Sequence, residues 1–545
     1  MREYQTDVLV VGAGLAGLRA AVRGIREGLK TLIAYQGAGA SRHVLAFNAI
    51  IPGESADSEQ AFIDDMLRSG GGINNLPLVK RFVKLSGELL YSLESVGFKP
   101  DRDEQGRYLR RHLGGSSHPR SFYSSDSTGG DILKTLWEYL RTNGAEELPS
   151  TRILLPVLGN DEILGAIGFD TSSGEEVLIQ AKSIVLAGGG LGALFAGSTY
   201  PPDVDGSCAA FALLAGAELT DMEFVQFEPT VCFTHEKINR MEMPTAMLGD
   251  GAMLRNSSGE RFMLRYGYQK EAGIEKALMA KCIYREIQEG RGSPSGGVYF
   301  DGRTIPTDLL KRYELRLRRL QEAGIDLTKE MVEVKPVAHS HMGGIRTDEH
   351  CAACLPGLFA AGECAGGLHG ASRIAGNSGA EALVLGDLAG MSAAMYARKK
   401  AWLPAEALKK AASDSVDKAN LFTEKIRCIP EDFSAQMSAL LAKGCEIMRN
   451  AQTMNEALAE MQKIKDTCLH KAGSPPSLMR KIEAAGQLLV AQCVLSAALM
   501  RQESRGAHCR SDFPDEQSDW KVNIVHNFEK SELHCRCDNR EQQYI

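Results

Sequence analysis

Apolar residues cluster along the chain in short β-branched runs that end in glycine. The run Asp7-Val8-Leu9-Val10-Val11 leads straight into Gly12-Ala13-Gly14-Leu15-Ala16-Gly17. Residues 18–27 then have helical composition, Gly28 closes that stretch, and Lys30-Thr31-Leu32-Ile33-Ala34 is a second run. Strand, tight turn, helix and strand form the setting in which G-x-G-x-x-G binds a dinucleotide. Its first two glycines allow a sharp turn and close backbone approach to a pyrophosphate. The third lets helix and strand pack, and the helix N-terminus offers N–H groups to the phosphates. The acid usually found after the second strand is missing, and Tyr35 or Gln36 stands there. Ser183-Ile184-Val185-Leu186-Ala187-Gly188-Gly189-Gly190 and Gly357-Leu358-Phe359-Ala360-Ala361-Gly362-Glu363 read as further buried strands whose tight ends approach a ligand. Their wide separation predicts a dinucleotide domain interrupted by an insertion, the more polar residues 230–338. After about residue 395, Ala, Leu, Met, Lys and Glu predict helices to about residue 502. The last 35 or so residues are polar, with few helix formers, and predict an extended, surface-hugging tail.

Composition narrows the function classes. At 545 residues the chain holds three or four folding units of roughly 150 residues each. Hydrophobic residues at 44% and charged residues at 24% exclude a disordered chain. With 62 basic and 69 acidic residues the net charge is −7, and no basic run offers itself to a phosphate backbone, so nucleic acid is excluded as a partner. The 56 glycines exceed the average of roughly 7% and gather at the strand ends just described. A polar start and no run approaching ~18 apolar residues predict a cytoplasmic protein that meets a membrane only through a partner. The 13 cysteines are scattered and read as reduced thiols. Cys351-Ala352-Ala353-Cys354 and Cys535-Arg536-Cys537 are each too few for an iron–sulfur cluster, which takes four ligands as a rule. They read as surface thiols or as a contribution to a partner, and no metal site is predicted.

Several motifs resemble one family. Val10 to Gly17, Asp221-Met222-Glu223-Phe224-Val225-Gln226-Phe227, Gly259-Glu260-Arg261-Phe262-Met263 and Glu289-Gly290-Arg291-Gly292 are similar to segments of the flavoprotein subunit of succinate dehydrogenase and fumarate reductase. So are His339-Ser340-His341-Met342-Gly343-Gly344, Gly362-Glu363-Cys364-Ala365-Gly366-Gly367-Leu368-His369-Gly370-Ala371-Ser372-Arg373 and Glu503-Ser504-Arg505-Gly506-Ala507-His508. L-aspartate oxidase and adenylylsulfate reductase are relatives of that family. The resemblance implies an α/β fold: a Rossmann-like FAD-binding domain (1–229 and 339–395) interrupted by an α+β capping domain for the substrate (230–338), then a helical domain (396–510) and an extended C-terminal tail (511–545). It implies FAD, with Gly12, Gly14 and Gly17 at the pyrophosphate, Ala187, Gly188 and Gly189 on the wall, Glu363 on a sugar hydroxyl, and Asn377 and Ser378 beside the isoalloxazine. His43 stands thirteen residues after Lys30, where membrane-bound members bond FAD covalently; a histidine near the flavin without a bond is the alternative. The family's next pattern, Ala-(Gln/Glu)-Gly-Gly, is here Phe47-Asn48-Ala49-Ile50.

The substrate machinery is carried over residue by residue. His339 and Arg373 match two groups that grip a dicarboxylate, and a guanidinium suits a carboxylate. His341 replaces a small polar residue and reads as a third donor. Glu228 stands where the family has a donating histidine, and is an acceptor when ionised. The threonine, glutamate and arginine of a further family motif fall on Pro244, Thr245 and Leu248, so its proton relay is absent. The catalytic arginine falls on Lys276, which keeps the charge but not the bidentate fork; a surface lysine on a helix is the alternative. The resulting expectation is an FAD-dependent oxidoreductase that acts on a small organic acid or thioester and exchanges electrons with a separate iron–sulfur protein as partner. The alternatives are a stand-alone flavin oxidase or reductase like L-aspartate oxidase, and a non-catalytic FAD protein that only transfers electrons.

Overall fold

Arg2–Val11 and Glu176–Leu186 form the central parallel pair of a seven-stranded sheet in a computed structural model that describes residues 1–53, 57–470 and 476–538. Val8, Leu9, Val10, Ile184, Val185 and Leu186 are fully buried, because helices cover both faces of such strands and leave no place for alternation. Thr31–Ala34 and Glu146–Leu148 continue the sheet in parallel on one side. On the other side Glu176–Leu186 has two neighbours. Its first half pairs antiparallel with Glu162–Asp170, which pairs in turn with Thr151–Gly159; its second half pairs parallel with Leu358–Ala360. The three glycine-ended runs of the sequence therefore finish side by side. The helices Leu15–Arg26 and Asn377–Ala397 cross here at close range: a Cβ on Gly386 would stand 2.5 Å from Ala16 O.

The insertion builds a four-stranded antiparallel sheet from Val225–Cys232, Val332–His341, Val298–Asp301 and Met253–Arg255. With the helices Lys276–Gln288 and Glu314–Glu322 it encloses its own apolar cluster, running from Cys232 to Val334. The helices Ala405–Thr423, Phe433–Gly444, Ala451–His470 and Leu478–Met500 follow. Among the described residues Leu478–Met500 is long and apolar enough to cross a membrane, but Val490, Ala491, Cys493, Val494 and Leu495 are fully buried inside the protein, as in a core helix.

The tail does not merely hug the surface. Asn523–Glu529 lies inside a five-stranded sheet, between Leu219–Thr220 and Glu532–Asp538, with Ile524 and Val525 fully buried. Its polar composition misleads because polar side chains here find partners inside the fold: Asn523 Nδ2 donates to Ile73 O at 3.0 Å and to Asp221 Oδ1 at 2.9 Å. A buried ionic chain ties the same region together. Arg501 pairs with Glu223 at 2.7 Å and Glu503 at 2.9 Å, and Glu503 pairs with Arg505 at 2.7 Å, all four side chains fully buried.

Candidate active site

A deep cleft follows the C-terminal ends of the parallel strands. Its wall is largely backbone: residues 12–15, 187–189, 362–363, 376 and 378. Gly12 has φ +113°, and a Cβ there would stand 2.4 Å from Ala187 O; one on Gly14 would meet Ser41 Oγ at 2.8 Å. These glycines let the turn pack directly on the strand end at Ala187 and on the loop at Ser41, so that the cleft is lined here by backbone. Leu15 N–H, at the start of the helix Leu15–Arg26, donates to Ser41 Oγ at 2.9 Å. A second helix, Asn377–Ala397, also starts at this wall, after Gly376 at φ +86°. Two helix N-termini beside a side-chain-free wall fit the pyrophosphate of a dinucleotide. At the far end Arg152 donates to Gln36 Oε1 at 3.1 Å and pairs with Asp205, while Asp203 accepts from Gly39 N–H at 3.2 Å. A carboxylate thus stands at this end, brought by residue 203 and not by the end of the second strand.

Nearer the insertion, Glu363 accepts from Tyr200 Oη and, at 2.8 Å, from His341 N–H. Burial raises its carboxyl to about 7, and burial together with Glu363 pushes the Tyr200 phenol well up. His43 ends the short 3-10 turn Gly39–His43 on the cleft wall. Desolvation by the walls lowers its pKa, against Glu242, which raises it.

The substrate end is assembled across the two domains. Strands Val225–Cys232 and Val332–His341 change register between Ser340 and Ala338, which leaves His339 as the extra residue of a bulge. Bulges re-aim side chains, and His339 lines the cleft while His341 does not. His341 Nδ1 lies 2.9 Å from Gly343 O and Nε2 3.0 Å from Met222 O. The expectation that it adds a donor to the substrate site is corrected by this geometry. Lys276 opens the helix Lys276–Gln288, whose register is held by Glu286. That fully buried carboxylate accepts from Arg291, from Tyr266 at 2.8 Å and from Asn256 at 3.0 Å. Lys276 is no surface lysine: it lines the cleft, pairs with the buried Glu228 and has its Nζ 3.4 Å from His339 Nε2.

Glu242, which the sequence reading missed, completes the group. Its Oε1 is 3.3 Å from His339 Nδ1, and Thr199 Oγ1 is 3.0 Å from the same nitrogen. Burial works to raise the Glu242 carboxyl, but His339, Lys276 and Arg316 outweigh it and hold it down at about 2. Glu242 and Thr199 at Nδ1 fix the orientation of the His339 ring, whose Nε2 faces Lys276. Glu228, Glu242 and His339 lie within metal-ligand spacing of one another, but the ammonium of Lys276 already faces Glu228 there. Arg373 is 5% exposed and donates to Ser340 Oγ and Ile374 O, both at 3.2 Å. Among the described residues no carboxylate pairs with it.

Of the remaining predicted residues, Gly12, Gly14, Ala187, Gly188, Gly189, Glu363 and Ser378 line the cleft. Gly17 and Asn377 do not. A Cβ on Gly17 would stand 1.9 Å from Gly12 O, so its place is the helix–strand contact. Asn377 is fully buried behind the wall and accepts from Asn48 Nδ2 at 2.7 Å. Pro244 and Thr245 line the cleft, whereas Leu248 belongs to the core of the insertion. No periodicity or motif singles out Thr199, Tyr200 or Glu242, since each meets its partner only across the fold.

Comparison with known proteins agrees with this picture. Residues 7–378 match a family model described as an FAD binding domain, and residues 434–543 match one described as fumarate reductase flavoprotein C-term. The chain is 33% identical to a fumarate reductase (CoM/CoB) subunit of Methanothermobacter marburgensis, over 96% of this chain and 97% of that one. It is 31% identical to L-aspartate oxidase of Streptomyces coelicolor, over 95% and 91%. Among solved structures, E. coli quinol fumarate reductase FrdA, a point variant, superposes with a TM-score of 0.90 at 26% identity, covering 99% of this chain and 97% of that one.

Proposed function

The chain belongs to the fumarate reductase/succinate dehydrogenase flavoprotein family and is an FAD-dependent oxidoreductase, and on that premise we propose that its substrate is an unsaturated organic acid, or its saturated counterpart, with a single free carboxylate, the other end being neutral or a thioester. The observation that carries this reading is the distribution of charge. Among the described residues Arg373 is a buried cation of the cleft without a carboxylate partner, the half-buried Arg111 being likewise without one, while Lys276 is already paired with Glu228. A second substrate carboxylate would meet Glu228 and Glu242, and an unpaired buried charge costs several kcal/mol.

The wall of residues 12–15, 187–189 and 362–363 would hold FAD, which would supply hydride transfer to or from one substrate carbon. The chain's own residues do the rest. Arg373 binds and orients the carboxylate, and Ser340 holds its Nε. Lys276 has three N–H donors; one meets Glu228 and one meets His339, so the third is free to give a proton to the substrate carbon beside it. Loss of that proton would leave Nζ as a neutral amine beside the buried Glu228, so a proton taken up from solvent through the cleft restores the ammonium. Glu242 keeps the His339 ring oriented through Nδ1. Electrons leave or enter through an iron–sulfur partner; the names of relatives as subunits support this part of the reading. A second reading rests on the excess of carboxylates around His339: a substrate ammonium beside Glu228 and Glu242, as in an amino acid. L-aspartate oxidases are among the relatives.

The test is turnover with reduced viologen over a panel of unsaturated acids, their thioesters and fumarate, with amino acids assayed as oxidisable donors. One monocarboxylate or thioester should be reduced, and Arg373→Lys should abolish it. Fumarate turnover on the order of 10–100 per second, typical of an efficient enzyme, would overturn the proposal. Amino-acid oxidation would select the second reading.

A further inference from the structure

Cys535-Arg536-Cys537 takes no part in the cleft. Glu532–Asp538 is the edge strand of the five-stranded sheet, and alternation puts Cys535 and Cys537 on one face. That face looks onto the end of the core helix Leu478–Met500. Cys535 Sγ lies 3.7 Å and Cys537 Sγ 3.8 Å from the same atom, Met500 Sδ. The strand is pinned from its other face, where Arg536 pairs with Glu218. Cys535 and Met500 are half-buried and Cys537 is exposed, so the three sulfurs form a cluster at the protein surface. Directly across the sheet from Cys535 stands His526, fully buried, with Nδ1 lacking a hydrogen-bond partner among the described residues.

Three sulfurs each about 2.3 Å from one ion in a trigonal plane stand about 4 Å apart. The two separations from Met500 Sδ are already close to that. We propose that Cys535, Cys537 and Met500 form a binding site for one soft monovalent cation, Cu(I). The thioether decides the class: hard cations take oxygen ligands, and paired thiolate and thioether sulfurs select Cu(I).

An ordinary cysteine is protonated at neutral pH, so both are thiols in the free protein. Binding forms two copper–thiolate bonds and one dative bond from Sδ, releases both thiol protons to solvent and moves no electrons. The bound unit carries one negative charge, set near Arg501 and Arg536 but also near Glu223, and those arginines are themselves paired with Glu223, Glu503 and Glu218.

The flavin-loaded full chain, reduced and kept anaerobic, is titrated with Cu(I) supplied as its acetonitrile complex against the chelator bathocuproine disulfonate. One equivalent should be withheld from the chelator, with two protons released and three sulfur neighbours at about 2.3 Å in X-ray absorption. Met500→Leu is close in volume and should keep fold and flavin. It should weaken Cu(I) by at least the roughly tenfold that even an outer-shell change costs. The double variant Cys535→Ser/Cys537→Ser should lose the equivalent. The proposal fails if no Cu(I) is withheld or if Met500→Leu binds as tightly as the parent. It also fails if the double variant retains the ion, which would then sit on other thiols such as the exposed Cys354.

Discussion

Glu228 sets the character of the substrate end. Its carboxylate is 1% exposed and faces the ammonium of Lys276, with His339 Nε2 3.6 Å away. Neutralising it should free Lys276 to act as a second cation opposite Arg373. Glu228→Gln is therefore expected to bind dicarboxylates more tightly than the parent. One charge-assisted hydrogen bond contributes roughly 1.5–3 kcal/mol, about tenfold to a hundredfold. Titration of the flavin absorbance with succinate and fumarate measures it, and unchanged or weaker binding would remove Glu228 as the excluding charge. At the same scale, His339 and His341 were legible as a pair of histidines but not as a divided one. Two residues apart on a regular strand they would share a face; the bulge at His339 separates them, and a bulge is decided by the pairing strand.

At the scale of elements, the loop that carries Arg373 is held by segments far away in the chain. Gln226 Nε2 donates to Arg373 O at 3.1 Å, Ala371 N–H donates to Gly70 O at 2.9 Å, and Ala507 N–H donates to Ala371 O at 2.9 Å. Gly506 makes the last contact feasible. Its φ is +53°, and a Cβ there would stand 2.4 Å from Ala371 O, against backbone that cannot swing aside. Gly506→Ala should cost on the order of 1–3 kcal/mol and shift the loop. The expected signature is a lower unfolding midpoint and a raised KM for the acid, with flavin content kept. An unchanged KM would show that this clamp does not position Arg373.

At the scale of the molecule, buried histidines link the fold to pH. Burial holds His341 and His526 at about 4 and His508 well below its usual value. Unfolded, each titrates near 6.5. Between about 4 and 6.5 the unfolded chain therefore binds more protons than the folded one. The stability they contribute is complete above 6.5 and lost as pH falls, by about 1.4 kcal/mol per pH unit for each fully charged histidine. In His341→Gln, whose amide can donate to both Met222 O and Gly343 O, urea unfolding between pH 5 and 6.5 should show a slope shallower by about one proton. An unaltered slope would mean that His341 is charged in the folded state. The contiguous features of this protein were present in its sequence: Gly12 and Gly14, the strand ends at 187–189 and 362–363, and the FAD they imply. In these the spacing along the chain is the spacing in space, because each wall segment is one turn of backbone. The motif residues His339 and Arg373 were legible from their likeness to the family's motifs. The ion pair of Lys276 with Glu228, the grip of Glu242 on His339, the placement of Tyr200 on Glu363 and the sulfur cluster at Met500 were not. Each joins residues from separate elements, and only the docking of the insertion and the C-terminal hairpin against the rest brings their charges and sulfurs within reach of one another.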